Sequence, residues 1–271
     1  MSRHALNTSF EWRRAAPAQS APFLTSAQVD QFDSEGYCLV DNAFSTDTIA
    51  ALTEAIDPWE QRATDFLHTQ PGGAMFIAQA DSITFTVHLV SHNETCRAFT
   101  LHPSLLGIAG DLIGADVRMY WDQAVYKKPE PEREFPWHQD NGYTFVEPQQ
   151  YLTCWVPLTD ATLDNGCPWV APGLHKNGTL EHNVGAYGLS CFDSFEGAIP
   201  IEAPVGSAVV FSSLTPHRTG PNVTDRIRKA YIVQYAPTGA YIRNSNDPDD
   251  RTSANAPERQ YEVLRHGATL S

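Results

Sequence analysis

Phe135-Pro-Trp-His138-Gln139-Asp140-Asn141-Gly142-Tyr143 carries the densest chemistry in the chain. Read as an extended strand, it sends His138 and Asp140, two positions apart, to the same face of a sheet. An imidazole nitrogen and a carboxylate oxygen are then offered to one point in space. A third donor has to come from a distant segment. Thr215-Pro-His217-Arg-Thr-Gly supplies the candidate, because it follows the apolar strand Ala208-Val-Val-Phe211. Two imidazoles and one carboxylate on one face of an octahedral Fe(II) leave three adjacent positions for a bidentate cosubstrate and O₂. A closed tetrahedral zinc site has no such room. The His-x-Asp pair alone decides little. Ten His and eighteen Asp in 271 residues give about 0.7 such pairs by chance, and His92-Asn-Glu94 fits the looser form of the motif.

Moving outward, short β-rich runs fall at 117–127, 151–158, 167–171, 207–212 and 228–236, separated by Pro, Gly and Asn clusters. Strands at this spacing suggest a sandwich or a jelly-roll barrel. Arg228 opens the last of these runs, eleven residues after His217. If it points inward it needs an anion, since a buried unpaired guanidinium is very costly. Its planar fork suits the distal carboxylate of 2-oxoglutarate. The plain alternative is a surface arginine at the start of a strand, a role that Arg226 and Lys229 fit better.

Upstream of residue 117 the sequence is more helical. Thr25-Ser26 can cap a helix running through Ser34, with Gly36 as its stop, and Tyr37–Val40 is a strand candidate. Ser45 starts a second helix to about Glu60, with Ile49, Leu52 and Ile56 on one face. Residues 68–82 read as a loop, 84–90 as β-like or mixed, and 99–114 as one helix ending at Gly114. We expect a loose leader over 1–22, a single domain over 23–237 that is helical to about 116, and a polar tail over 238–271.

Composition narrows the function classes. A formal charge of −14 disfavours a nucleic-acid backbone or an anionic membrane as partner. It leaves an anionic small molecule open, because a local basic pocket can override net charge. No run of about 18 apolar residues suggests a membrane span. The N-terminus lacks an apolar signal core, and five cysteines (38, 96, 154, 167, 191) form no Cys-x-x-Cys pair. Reduced, buried thiols in a cytoplasm are expected. Oligomeric state is open.

From Leu24 to Pro237 the chain resembles the phytanoyl-CoA dioxygenase family of Fe(II)/2-oxoglutarate oxygenases. The resemblance rests on three features: His138-Gln-Asp140, the run from Trp155 through Asp164-Asn-Gly-Cys-Pro-Trp-Val-Ala-Pro-Gly-Leu-His175, and His217 followed by Arg228-Lys-Ala. It implies a mainly β fold with flanking helices, built on a double-stranded β-helix (jelly-roll, cupin-like) core. It also implies His138, Asp140 and His217 on iron, Arg228 on the cosubstrate's C5 carboxylate, and Trp155 and Thr219 beside the cosubstrate. Gln123 stands where some relatives place Met, and is assigned to the same pocket. The lysine that some relatives carry near Thr84–Thr86 does not occur there. Halogenases of the wider group replace the carboxylate ligand by Ala or Gly, so the presence of Asp140 disfavours halogenation. His175 follows a loop in this run and is expected to be a loop or strand-end histidine, not a ligand.

The implied reaction converts 2-oxoglutarate and O₂ to succinate and CO₂ while a small organic substrate is hydroxylated, desaturated or cyclised. No catalytic side chain beyond the metal ligands is required. Phe135, Tyr143, Phe145 and Tyr126 could line an apolar cavity or simply fill the barrel core. Trp137, alternating with His138, should face away from the metal. Phe66, Phe76 and the 68–82 segment are the candidate lid, and His88, His92 and His182 could approach the site mouth. Three rival readings stand beside the oxygenase. They are a cupin-like protein that binds metal or ligand without turnover, a zinc hydrolase using the same ligands, and a family hydroxylase acting on acyl-CoA, phosphonate or amino-acid substrates.

Overall fold

Leu152–Pro157 and Ala208–Ser212 are buried at every position, which a strand can sustain only if both faces of its sheet are covered. The computed structural model, which describes residues 1–18 and 22–270, shows how that cover arises. In chain order the elements that build the site are α1 (Ser26–Glu35), β1 (Tyr37–Val40), α2 (Thr46–His68), β2 (Ile83–Val87), α3 (Glu94–Phe99), α4 (Pro103–Leu112), β3 (Val117–Lys127), β4 (Phe135–His138), β5 (Leu152–Pro157), β6 (Pro168–Val170), β7 (Ile199–Pro200), β8 (Ala208–Ser212), β9 (His217–Thr219) and β10 (Arg228–Pro237). The larger sheet runs β1-β8-β5-β10-β3-β2, and the smaller runs β7-β6-β9-β4. The named pairs are antiparallel. This is the jelly-roll core with flanking helices that the resemblance implied.

Side chains of the larger sheet alternate between two apolar clusters. Cys154, Val156, Val210, Tyr231 and Val233 join Phe32, Ile49, Leu52, Ile56 and Ile108 of the helices. Trp155, Val209, Phe211, Ala230 and Ile232 join Phe135 and Val170 of the smaller sheet. The helices therefore cover the outer face, and the inner face looks across at β4, β6 and β9. Each aliphatic side chain that α2 buries is worth about 1.5–3 kcal/mol, so the outer layer holds the sheet rigid behind the site.

Local signals explain most boundaries. Thr25 and Gln28 form a reciprocal capping box, and Gly36 at φ +89° ends α1. A β-carbon at Gly36 would sit 2.6 Å from His175 Nδ1, so a larger residue would displace the chain there. Three expectations need correction. The helix expected over 99–114 is two, broken before Pro103. His102 is extended (φ −60°, ψ 134°) and caps α4 through its ring nitrogen, with Pro103 at the first helical position. The second helix continues eight residues beyond Glu60, because Glu60, Thr64 and Leu67 extend its buried face past Pro58. The 68–82 segment is not all loop, since Ala74–Met75 pairs with Ala78–Gln79.

The two ends of the chain carry more order than their composition suggests. Within 1–22, Asn7 is buried and donates to the carbonyls of Asn177 and Thr179, while Trp12 donates to Asp33. Residues 19–21 lie outside the described residues. Beyond 238, Tyr241–Arg243 pairs with Val146–Glu147, and Glu262–Arg265 pairs with the start of β3, burying Val263 and Leu264. A few apolar side chains in an otherwise polar segment suffice to dock it.

Candidate active site

β4 ends at His138, and its Cα partner across the ladder is His217, the first residue of β9. Asp140 is not on the strand as expected. It opens a single helical turn, Asp140–Tyr143, so its carboxylate reaches the two rings from the side. Asp140 Oδ1 lies 3.9 Å from His138 Nε2 and 3.7 Å from His217 Nε2. One donor atom from each residue falls within 4.8 Å of the others. These separations exceed hydrogen-bond reach, so the three groups converge without bonding one another. A ring of N, N and O donors at this spacing fits a shared cation.

Each ring is held so that one nitrogen faces inward. His138 Nδ1 is 2.8 Å from the Pro136 carbonyl, and His217 Nδ1 is 3.0 Å from that of Thr215. A carbonyl can only accept, so each Nδ1 carries the proton and each Nε2 keeps its lone pair for a metal. Burial, and then His217, push His138 down to about 3; burial pushes His217 down to about 4. Both imidazoles are neutral near pH 7. Burial raises the Asp140 carboxyl above its ordinary range, opposed by His138 and by hydrogen bonds from Thr153 and Gln234. Gln234 Nε2 donates to Thr153 Oγ1 (3.1 Å), which donates to Asp140 Oδ2 (2.5 Å). The outer carboxylate oxygen is thereby engaged while Oδ1 faces the histidines.

Sequence reasoning missed Thr153, Gln234 and Gln139, and it expected His182 at the site mouth. Gln139 turns away from the donors, receives the Leu180 N–H and donates to the carbonyls of Gly178 and Leu214. His182 Nε2 accepts the Gln139 backbone N–H at 2.9 Å. His182 thus braces the back of the ligand segment instead of its mouth. Alternation could have flagged two of these four: Thr153 lies two residues before Trp155, and Gln234 six after Arg228, on the same strand faces.

A cavity of about 590 Å³ opens over the donors, and its wall includes Arg228, Trp155, Thr219 and Gln123. Arg228 is 1% exposed, and none of its three guanidinium nitrogens has a hydrogen-bond partner among the described residues. Its Cζ stands 5.3 Å from the Trp155 ring centroid. Thr219 Oγ1 is likewise buried and unpartnered. Orphaned donors of this kind are costly in a folded protein, and a carboxylate would satisfy them. Gln123 sits opposite Ile232, four residues along β10 from Arg228, and its Oε1 accepts from Trp121 Nε1 at 3.3 Å.

The remaining wall is largely apolar. Phe135 and Tyr143 flank His138 edge-on, at 4.8 and 5.4 Å between centroids. Trp137 turns to the other face against Phe192. At the mouth, Met75 and Phe76 line the opening, and Phe76 is fully exposed at φ +55°. Phe66 is exposed near the end of α2 and does not reach the cavity, so the lid expectation narrows to the 74–79 hairpin. His175 lies in a short 3₁₀ turn, fully buried against Trp12. His92 stacks on Trp59, and His88 meets Trp121 and Arg259. None of these three is part of the donor cluster. Among the described residues no helix is long and apolar enough to cross a membrane.

Known proteins resemble this chain in sequence and fold. A phytanoyl-CoA dioxygenase of Arabidopsis thaliana is 25% identical over 248 residues, covering 78% of this chain and 88% of its own. A methylphosphonate hydroxylase of Gimesia maris is 25% identical over 217 residues, with coverages of 78% and 80%. The crystal structure of the non-haem α-ketoglutarate-dependent carbocyclase SnoK from nogalamycin biosynthesis matches with a TM-score of 0.69 at 20% identity, over 86% of this chain and 91% of its own. Residues 32–230 match the sequence model of phytanoyl-CoA dioxygenase (PhyH), and with that match spanning well over half its length the chain belongs to the phytanoyl-CoA dioxygenase family.

Proposed function

We propose that this chain oxidises a small, largely apolar organic molecule, with iron on His138, Asp140 and His217 and the distal carboxylate of 2-oxoglutarate on Arg228. The chemistry is that of the family: a 2-oxoglutarate-dependent non-haem iron dioxygenase whose cofactors are Fe(II), 2-oxoglutarate and O₂. One observation carries the residue assignment. A single cavity has three convergent N, N and O donors in its wall and an unpaired, fully buried guanidinium in the same wall.

Iron with 2-oxoglutarate and O₂ supplies an oxidant that removes hydrogen from an unactivated carbon, leaving succinate and CO₂. The protein's part is positioning. His138 and His217 offer neutral lone pairs, and Asp140 brings the one negative charge. Arg228 meets the cosubstrate's tail with a planar fork backed by the face of Trp155. Thr219 can add a hydroxyl donor there, and Gln123 borders the space between. Phe85, Val125 and Ile232 exclude water and favour hydrocarbon over a charged substrate. No side chain has to act as nucleophile or general acid–base. Hydroxylation is the default outcome, and desaturation or ring closure results if the substrate radical is held away from oxygen transfer.

Anaerobic addition of 2-oxoglutarate to the Fe(II)-loaded protein tests this reading. A weak visible metal-to-ligand band is expected, followed by O₂-dependent succinate release across a panel of apolar substrates. A flat spectrum, or turnover by Zn(II)-loaded protein without O₂, would contradict it.

A further inference from the structure

β3 carries an extra residue against β10. Gln234 pairs with Trp121 and Tyr235 with Met119, which leaves Tyr120 unpaired as a bulge. In a regular strand Tyr120 would turn outward with Asp122 and Ala124, toward the helices. The bulge re-aims it, so that Tyr120 and Trp121, adjacent in sequence, both line the cavity. Tyr151 lines it too, two residues before Thr153 of β5. The Tyr120 and Tyr151 rings meet edge to face, with 5.0 Å between centroids.

Tyr120 is 5% exposed and Tyr151 3%, yet neither hydroxyl has a hydrogen-bond partner among the described residues. Three tyrosines on the outer face of the same sheet are each satisfied. Tyr126 donates to Asp57, Tyr231 to Asp122, and Tyr235 to the Thr100 carbonyl. Buried hydroxyls left without a partner are uncommon. Burial raises both cavity phenols above their ordinary range, so each keeps its proton and can donate.

Strand register orders the cavity. Arg228 and Gln234 are six residues apart on β10, about 20 Å. Thr153, which holds Asp140, pairs with Gln234, and Tyr151 lies two residues farther from Arg228. A path from Arg228 thus meets the metal donors first and the two phenols beyond them. Apart from Arg228 and the metal donors, no side chain of this wall carries a charge. Arg259, the cation near Tyr120, lies outside the wall and is held by His88 and Glu258. An ionised substrate group would be buried beyond the metal without a partner, at high cost.

Resting on the oxidation reading above, we propose that the substrate is a neutral molecule with a ketone- or quinone-type oxygen, which accepts hydrogen bonds from Tyr120 and Tyr151 at the end of the cavity opposite Arg228. A carbonyl oxygen has two lone pairs and can take both donors. Phe135 and Tyr143, edge-on to His138, flank the carbon skeleton beside the metal donors. Tyr120 and Tyr151 are then specificity-determining residues.

The test uses three probes of similar shape: 1-tetralone, tetralin and 1-naphthoate. Their affinities are read by calorimetry on the anaerobic protein loaded with Fe(II) and 2-oxoglutarate. 1-Tetralone should bind at least about tenfold tighter than either of the others, the worth of one good hydrogen bond. Tyr120→Phe and Tyr151→Phe should each weaken 1-tetralone about tenfold and leave tetralin nearly unchanged. Equal affinity for 1-tetralone and tetralin, tightest binding of 1-naphthoate, or an unchanged preference in both variants would overturn the proposal. So would a failure of 1-tetralone to bind below about 1 mM. Should a variant fail to fold, the order of the three probes on the unsubstituted protein decides. The visible band on adding 2-oxoglutarate keeps the two levels apart. Its absence overturns the oxidation reading and the proposal with it; its presence, with no preference among the probes, overturns the phenol site alone.

Discussion

His138 and His217 face each other across one rung of the smaller sheet, their ring centroids 4.1 Å apart. They stand 79 positions apart along the chain, yet the ladder brings both inward nitrogens together, and Asp140 closes the triangle from the adjoining turn. The donor set therefore depends on the register of β4 against β9. That register is braced from behind by the Gln139 and His182 hydrogen bonds.

The donor assignment is tested by His217→Ala and Asp140→Ala. Each leaves two of three donors, so iron bound per chain should fall from near one to near zero at micromolar metal. Metal analysis after gel filtration reads this directly. Retention of iron by both variants would mean that other residues bind the metal.

Arg228 gives two effects of opposite sign. A buried, unpaired guanidinium costs stability, and its replacement by an apolar side chain of similar volume is expected to be neutral or to stabilise by about 1–4 kcal/mol. Arg228→Met should thus melt no lower than the parent without cosubstrate, while its affinity for 2-oxoglutarate drops at least tenfold. Calorimetric melting and ligand titration on the same samples check both halves. A variant that melts much lower would mark Arg228 as a structural residue.

Thr153 acts through Asp140. Thr153→Val keeps the shape of the side chain but removes the donor to Oδ2. Iron affinity should fall by about 10–100-fold, the usual range for an outer hydrogen bond to a metal ligand. Thr153→Ser should recover most of it. Competition with a calibrated chelator measures this, and an unchanged affinity in the valine variant would remove Thr153 from the site.

Phe76 holds a left-handed conformation with its ring in solvent, an arrangement that costs about 1–3 kcal/mol for a bulky residue. Such strain at a cavity mouth suggests a ring kept for contact with substrate. Phe76→Gly should melt at the same or a higher temperature. It should also raise the KM for substrate and the fraction of 2-oxoglutarate consumed without product. Unchanged coupling would show that the hairpin does not cover the site.

His175 governs an acid-sensitive contribution away from the metal. Burial pushes it down to about 4 from the ordinary 6.5. A histidine depressed in this way binds its proton in the unfolded state first, so stability is present above pH 6.5 and is lost as pH falls toward 4. The full loss is roughly 3 kcal/mol. His175→Gln should flatten the melting profile over that window relative to the parent. Parallel profiles would assign the acid sensitivity to the other buried histidines.

Much of this was legible in the sequence, for identifiable reasons. The five β runs expected between 117 and 236 fall within one or two residues of the observed strands because Pro, Gly and Asn bound them, and their alternation separates Arg228 from Lys229. The candidate donors could be enumerated because a His-x-Asp pair and a distant His are few, and the structure brings one donor atom of each within 4.8 Å of the others. The break before Pro103 was missed because the apolar periodicity carries across it. The docking of both termini was missed because side chains such as Trp12 and Val263 are isolated in polar surroundings. Thr153 and Gln234 were silent for another reason: an ordinary Thr or Gln on a strand gains meaning only when its hydrogen-bond partner is known.

An anaerobic crystal of the protein with Fe(II) and 2-oxoglutarate, analysed by anomalous scattering at the iron edge, tests the central claim most directly. A single iron peak is expected in contact with Nε2 of His138, Nε2 of His217 and a carboxylate oxygen of Asp140, with the cosubstrate's distal carboxylate against Arg228. An iron peak away from these three atoms, or a cosubstrate tail pointing away from Arg228, would contradict it.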